Sequence, residues 1–143
     1  TRFRSHTWHE PPVAADADML LAKWAEIRRA RADVQKVLEA LRVEGRIGSS
    51  LQAEVEIRAS GERYAALASL ADDLRFVFIT SQARLTRVAS PADEAIAAVP
   101  STHAKCERCW HYRDDIGAAA AHPTLCGRCV DNLDGAGEAR AHA

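Results

Sequence analysis

The 143-residue chain is defined first by what it lacks. No apolar run approaches the ~20 residues that a membrane-spanning helix needs. No secretory signal is visible, which sets the expectation of a cytoplasmic protein without membrane attachment. Excess charge of either sign is missing too. Nineteen Lys and Arg face twenty Asp and Glu, a net charge of −1, which argues against a broadly basic, sequence-blind binder of nucleic acid. Neither G-x-x-x-x-G-K-[ST] nor G-x-G-x-x-G occurs, so no glycine-rich phosphate loop is present. Ser49-Ser50 has no partner His and Asp at a recognisable spacing. The adjacent acids Asp72-Asp73 and Asp114-Asp115 read as turns or helix ends. No catalytic residue is expected in this stretch, which either binds something or holds a shape.

Cysteine outside two short motifs is absent as well, and that turns attention to the motifs. All four cysteines lie in Cys106-Glu107-Arg108-Cys109 and Cys126-Gly127-Arg128-Cys129, sixteen residues apart. One Cys-x-x-Cys hook aims two thiolates at one ion, and two hooks complete a tetrahedral shell of sulfur. Four thiolates with no open position suit a structural Zn²⁺ and argue against metal catalysis. The readings set beside zinc are a pair of disulfides, an iron–sulfur cluster and a redox Cys-x-x-Cys. His103, His111 and His122 flank the hooks and are the residues that could replace a thiolate. From Thr102 onward the large apolar residues are Trp110, Tyr112, Ile116, Leu125, Val130 and Leu133. So small a core needs a staple, and metal binding supplies ~10–16 kcal/mol in zinc-finger peptides. Trp110 is expected to shield the metal or pack on the neighbouring unit, and Gly127 to give the second hook a flexible backbone.

Upstream of the hooks the hydrophobic period changes twice. Residues 1–15 read as irregular, with Pro11 and Pro12 barring helix. Asp16 or Asp18 is placed to cap a helix running to about Val43, with Leu20, Ile27, Ala30, Val34, Val37, Leu38 and Leu41 on one face and Gly45 and Gly48 ending it. Trp24 is expected in the core. The other edge carries Arg28, Arg31, Gln35, Arg42 and Arg46, interrupted by Glu39. Seven Lys/Arg against four Asp/Glu between Leu20 and Arg46 leave a local excess of +3. Such a stripe is either a solvated helix face or a track for phosphates, whose oxygens match arginine forks.

Beyond Gly48, Leu51, Ala53, Val55 and Ile57 alternate with polar residues and predict a strand with one wet face. Tyr64 to Leu74 predicts a short amphipathic helix. Phe76 to Ile79 predicts a buried strand from β-branched and aromatic content. Leu85 to Ala89 and Ala95 to Val99 predict two weaker strands, closed by Pro100. The expected fold class is α+β, with a long N-terminal helix, a small β-α-β-β unit and a C-terminal Cys₄ zinc-finger segment. The matching divisions are residues 1–48, 49–100 and 101–143, with Pro100-Ser101-Thr102 as the linker before the last. From Lys105 onward five Lys/Arg meet six Asp/Glu, so any nucleic-acid contact there has to be local.

These residues carry a resemblance. The run from Lys105 to Arg113, with Leu125-Cys126-Gly127-Arg128-Cys129-Val130-Asp131-Asn132-Leu133, resembles the C-terminal zinc segment of bacterial isoleucyl-tRNA synthetases. Gly45-Arg46-Ile47-Gly48-Ser49-Ser50-Leu51 and Leu74-Arg75-Phe76-Val77-Phe78-Ile79-Thr80-Ser81 are similar to stretches of that family. Trp24 through Leu41 looks like the closing helix of its anticodon-binding domain. The resemblance implies a portion of an ATP-dependent isoleucine–tRNA ligase. Catalysis, ATP and Mg²⁺ would then belong to upstream domains that this chain does not contain.

It further implies one structural Zn²⁺ on Cys106, Cys109, Cys126 and Cys129. The expected partners are isoleucine tRNA and the upstream domains of the same polypeptide, in a monomer. Arg28, Arg31, Arg42, Arg46, Arg108 and Arg128 are the candidates for RNA contact. The chain opens on Thr1 rather than Met, as expected for a piece of a longer polypeptide. The family's usually basic tail is here Gly137-Glu138-Ala139-Arg140-Ala141-His142-Ala143, which weakens the case for phosphate contact by the tail. Two alternatives stand beside this reading: a DNA-binding zinc finger of the DNA-glycosylase type, and a purely structural zinc cap.

Overall fold

A computed structural model describes residues 12–139. Most of the irregular start, Pro11 included, and the tail from Arg140 onward lie outside the described residues. The long helix forms as expected: α1 spans Ala17–Val43. Asp16 takes the cap position without a side-chain capping bond, and the acid Asp18 stands in the first turn, where it suits the positive end of the helix. Gly45 ends the helix at a left-handed φ of 71°. Its N–H donates to the Arg42 carbonyl and that of Arg46 to the Leu41 carbonyl, the pair of bonds that closes a helix on a left-handed residue. Ile27, Ala30, Val34, Leu38 and Leu41 are buried along one ridge. Trp24 departs from expectation: it is 37% exposed, because burial along α1 becomes complete only from Ile27 onward.

After a 3₁₀ turn at Ser50–Gln52, strand β1 runs over Ala53–Ala59. Ala53, Val55, Ile57 and Ala59 are buried against the helices, while Glu54, Glu56 and Arg58 take the wetter face. Helix α2, Gly61–Ala68, and the short helix α3, Leu74–Phe78, follow. They lead into β2, Gln82–Arg87, which pairs parallel to β1 with Ile57 opposite Leu85. Strand β3, Ala95–Pro100, pairs antiparallel on the other edge, with Val55 opposite Ala98. The order β2-β1-β3 makes β1 the central strand. The parallel pair needs a helical crossover, which α2 and α3 provide. One core takes in the α1 ridge, the inner face of β1, and Ala66, Leu67, Leu70, Leu74 and Phe78. It is continuous across Gly48.

The strand expected at Phe76 to Ile79 is instead the end of α3 followed by a left-handed Ile79, φ 58°. The physical reason lies in the connection: this segment belongs to the crossover between the parallel strands β1 and β2, which passes over the sheet rather than along an edge. It turns helically instead and buries Leu74 and Phe78, four residues apart.

The last segment is small. Strand β4, Ala104–Lys105, pairs antiparallel with β5, Tyr112–Arg113, and the first cysteine hook lies between them. Helix α4, Gly127–Asp134, starts at the second hook with Cys126 as its N-cap. The connection at Pro100-Ser101-Thr102 is not loose. Pro100 ends β3, the Ser101 N–H donates to the Gln52 carbonyl at 2.7 Å, and the Ser101 hydroxyl donates to Glu54 Oε1 at 2.7 Å. The architecture is thus α+β with a cysteine-bearing segment docked on the sheet unit. No helix among the described residues is long and apolar enough to cross a membrane.

Candidate metal centre

Each hook is shaped by its own backbone. In the first, the Trp110 N–H donates to the Cys106 carbonyl at 2.9 Å, and the Cys106 N–H donates to the His111 carbonyl at 2.8 Å. This tight reversal puts Trp110 in the left-handed region, φ 65°, a costly place for a bulky residue. In the second, the Val130 N–H donates to the Cys126 carbonyl at 3.1 Å as α4 begins. Gly127 serves closeness rather than flexibility. Its N–H donates to Asp115 Oδ2 at 3.1 Å, and a Cβ there would stand 3.0 Å from that oxygen. The left-handed position of this pair of hooks falls on Trp110, not on the glycine.

The two reversals bring the four Sγ atoms within 4.8 Å of one another, with Cys109 Sγ and Cys126 Sγ 3.7 Å apart. A zinc–sulfur bond of about 2.3 Å sets the edge of a ZnS₄ tetrahedron at roughly 3.8 Å, so the donor set fits one ion. All four are free cysteines, not disulfides. Cys106, Cys126 and Cys129 are buried, and Ile116 and Leu125 pack around them. Burial alone would push the Cys106 thiol up, but the N–H groups of Cys109, Cys126 and Arg108 donate to it and bring it down to about 6. Burial pushes Cys126 up to about 12, with the neighbouring Cys129 and Cys109 adding to the rise, and burial also raises Cys129. So crowded a set of sulfurs needs a positive counter-charge to ionise together, and a divalent cation supplies it.

None of the three histidines belongs to the sulfur cluster. His103 faces Glu54 at 3.6 Å and His122 pairs with Asp134 at 2.7 Å. The His111 ring meets Phe76 edge-on, with centroids 5.6 Å apart, and its Nδ1 lies 3.2 Å from the Cys109 carbonyl oxygen. Its Nε2 is buried with no hydrogen-bond partner among the described residues. Burial lowers the pKa of this imidazole, and the cations of Arg128, Arg75 and Arg113 lower it further. Trp110, expected as a shield or packing residue, is 59% exposed, with the Lys105 ammonium 5.2 Å from its ring centroid. The backbone reversal that forms the hook turns the indole outward.

The six arginines singled out in the sequence fall into two places. Arg28, Arg31, Arg42 and Arg46 belong to α1 and its end. Arg42 pairs with Glu39 at 2.6 Å and Arg46 with Glu44 at 3.5 Å. Arg42 and Ser50 line an open groove of about 500 Å³ with Gln35, Lys36 and Glu39. Arg28 is exposed, whereas Arg31 is half-buried, with its Nε enclosed and unpartnered among the described residues. Arg108 and Arg128 lie at the sulfurs, where Arg108 Nη1 is 3.7 Å from Cys129 Sγ. Arg128 donates to Glu138 Oε1 at 2.9 Å and stands over the Phe76 ring at 5.1 Å.

Two residues overlooked in the sequence complete this junction. Phe76 lies under both the Arg128 and Arg75 guanidinium groups, the latter at 4.8 Å. Burial lowers the pKa of Arg75, as do the nearby Arg113 and Arg128 charges. No local pattern marks these positions for the junction, because the finger residues they meet, His111 and Arg128, lie 35 or more residues further along the chain.

Comparison with known proteins agrees with this geometry. A family described as "Zinc finger found in FPG and IleRS" matches residues 105–132, which hold both hooks. The isoleucine–tRNA ligase of Aromatoleum aromaticum is 62% identical over 138 residues, 96% of this chain and 15% of that protein. Those of Janthinobacterium sp. and Azoarcus sp. are 58% and 56% identical, over 97% and 96% of this chain and 14% and 15% of theirs. The chain therefore spans only about 15% of the length of these relatives. Matched along almost all of its own length, and carrying the zinc finger described for such enzymes, the chain belongs to the isoleucine–tRNA ligase family as a C-terminal segment.

Proposed function

We propose that this chain is the RNA-facing, zinc-stapled end of an isoleucine–tRNA ligase, a monomeric cytoplasmic enzyme whose ATP- and Mg²⁺-dependent aminoacylation takes place in upstream domains. The observation that carries this reading is the 62% identity to a ligase across 96% of the chain, with the four cysteines gathered at one point. The partners are isoleucine tRNA and the rest of the same polypeptide. In this reading residues 1–48 close the helical anticodon-binding part, 49–100 form a small α+β unit that shares its core with α1, and 101–143 form the finger.

Cys106, Cys109, Cys126 and Cys129 hold the ion, which closes the finger rather than performing chemistry. The α1 arginines Arg28, Arg31, Arg42 and Arg46 offer forks to phosphates of an anticodon stem, and the exposed Arg108 extends that surface at the finger, where Arg128 is engaged with Glu138. RNA of this kind is read by phosphate and 2′-hydroxyl contacts and by stacking on exposed rings, and Trp24 and Trp110 are both exposed. The three-stranded sheet ahead of the finger favours the ligase reading over a finger of the DNA-glycosylase type.

The test is a titration of the 143-residue chain with isoleucine tRNA and with a non-cognate tRNA over a range of salt. The expected result is tighter binding of isoleucine tRNA that weakens with salt. In Arg42→Gln the log–log salt slope should fall by roughly one. Equal, salt-insensitive silence toward both RNAs would overturn direct RNA contact and leave the structural-cap reading.

A further inference from the structure

The two hooks share more than their cysteines. Both read Cys-x-Arg-Cys, with Arg108 and Arg128 at the third position. We infer that the first of these, Arg108, is a positioning residue of the metal centre: it crosses to the last cysteine of the opposite hook and directs an N–H donor at its thiolate. The inference rests on the zinc reading above and deepens it.

The geometry carries the point. Arg108 Nη1 of the first hook lies 3.7 Å from the sulfur of Cys129, the closing residue of the second. Arg128, at the same place in the second hook, is engaged by other partners. Arg128 is not free to swing away. Glu138 Oε1 accepts its guanidinium at 2.9 Å, with both side chains largely buried, and Phe76 lies against the guanidinium at 5.1 Å. Glu138 is held in turn, since its N–H donates to Asn132 Oδ1 and the Asn132 amide donates to the Arg128 carbonyl.

The charge balance explains what the guanidinium does. Four thiolates around one divalent cation carry a net charge of −2. Cys106, Cys126 and Cys129 are 0%, 1% and 0% exposed, so water does little to offset that charge. The Arg108 guanidinium offsets part of it, whereas the charge of Arg128 is already matched by Glu138. A hydrogen bond onto a metal-bound sulfur also draws off electron density and resists protonation of the ligand, the event that opens such a site. The other cation beside the first hook, Lys105, lies over the Trp110 ring instead and serves as an internal comparison.

The experiment loads the 143-residue chain with zinc and measures the rate of metal release to excess chelator, followed by a metallochromic dye. Wild type is compared with Arg108→Gln, Arg128→Gln and Lys105→Gln. Arg108→Gln should release zinc at least about 10-fold faster, within the 10- to 100-fold range seen when outer partners of metal ligands are lost, and faster than Arg128→Gln. Lys105→Gln should stay within about twofold.

Cobalt substitution gives a second readout. The sulfur-to-metal charge-transfer band should shift in Arg108→Gln while its intensity stays that of four thiolates. Arg108 is exposed, so its substitution leaves the packing on Phe76 in place. An Arg108→Gln variant that releases zinc at the wild-type rate, or a Lys105→Gln variant that is accelerated equally, would overturn the inference while leaving the metal site standing. Wild-type chain without stoichiometric zinc would overturn the metal reading itself.

Discussion

Tyr112 and Ser81 join the cysteine segment to the sheet unit: the Tyr112 N–H donates to Ser81 Oγ at 2.6 Å, and the Ser81 hydroxyl donates onward to the Leu51 carbonyl. Ser81 is buried, so both bonds are made away from water. Ser81→Ala removes an acceptor and a donor together and strands the Tyr112 amide. The expected loss is about 1–3 kcal/mol of stability, the cost of one unsatisfied buried group. Urea denaturation measures it, and hydrogen exchange should show faster exchange at Tyr112 in particular. A variant with wild-type stability and an equally protected Tyr112 amide would show that the junction does not depend on this serine.

Removing the ion should divide the chain. Cys106→Ser or Cys129→Ser, or dialysis against a strong chelator, should collapse NMR dispersion for residues after Pro100 while preserving it for α1 and the three-stranded sheet. The reason is the separation of cores: the apolar cluster of α1, β1, α2 and α3 includes no residue of the finger. Loss of dispersion across the whole chain would contradict this. Zinc content measured in the same samples should fall from one per chain to near zero.

Glu94 gives a pH prediction with a definite sign. Its Oε1 accepts the Ser60 hydroxyl at 2.7 Å and the Ser60 N–H at 2.8 Å, at the start of α2. These bonds, the hydroxyl first, hold the carboxyl below its usual range, helped by the Arg63 charge. A carboxyl depressed in the folded state contributes stability that is complete above its unfolded pKa, roughly 4.3, and is lost as pH falls through the lower folded value. Wild type should therefore lose stability below about pH 4 more steeply than Glu94→Gln, with the two curves parallel near neutrality. Urea midpoints across that window decide it, and identical acid slopes would remove Glu94 from the account.

Phe78 tests the short helix that replaced an expected strand. It is 2% exposed and packs in the main core. Phe78→Ala should cost about 3–5 kcal/mol, the range for a buried aromatic truncated in place. Ile79→Gly, at the left-handed residue that ends α3, should by contrast be close to neutral or mildly stabilising, because Ile79 is 47% exposed and glycine relieves the positive φ. Thermal denaturation of both variants checks the contrast.

Some of the fold was legible before any coordinates. The ridge Ile27, Ala30, Val34, Leu38 and Leu41 follows helical spacing, and Ala53, Val55 and Ile57 follow strand alternation. Both patterns survive because α1 and β1 each bury a single face. Phe76 to Ile79 misled because its aromatic and β-branched residues suit a buried helical turn as well as a strand, and only the parallel pairing of β1 with β2 makes this stretch part of the crossover. Trp110 misled in the same way: its position after Cys109 suggested shielding, but the hook's left-handed turn exposes it.

The candidate metal ligands could be named from the sequence. Two thiols two residues apart are brought together by a local turn, so their spacing alone states the chemistry. Everything that surrounds them needed the folded chain. The crossing of Arg108 to Cys129, the stacking of Arg128 on Phe76 and the bond from Tyr112 to Ser81 link residues 21 to 52 positions apart, a range over which no periodicity carries information. The first exists because the two hooks fold onto each other and the other two because the sheet and the finger meet, and side-chain partners across such meetings are set by packing in three dimensions.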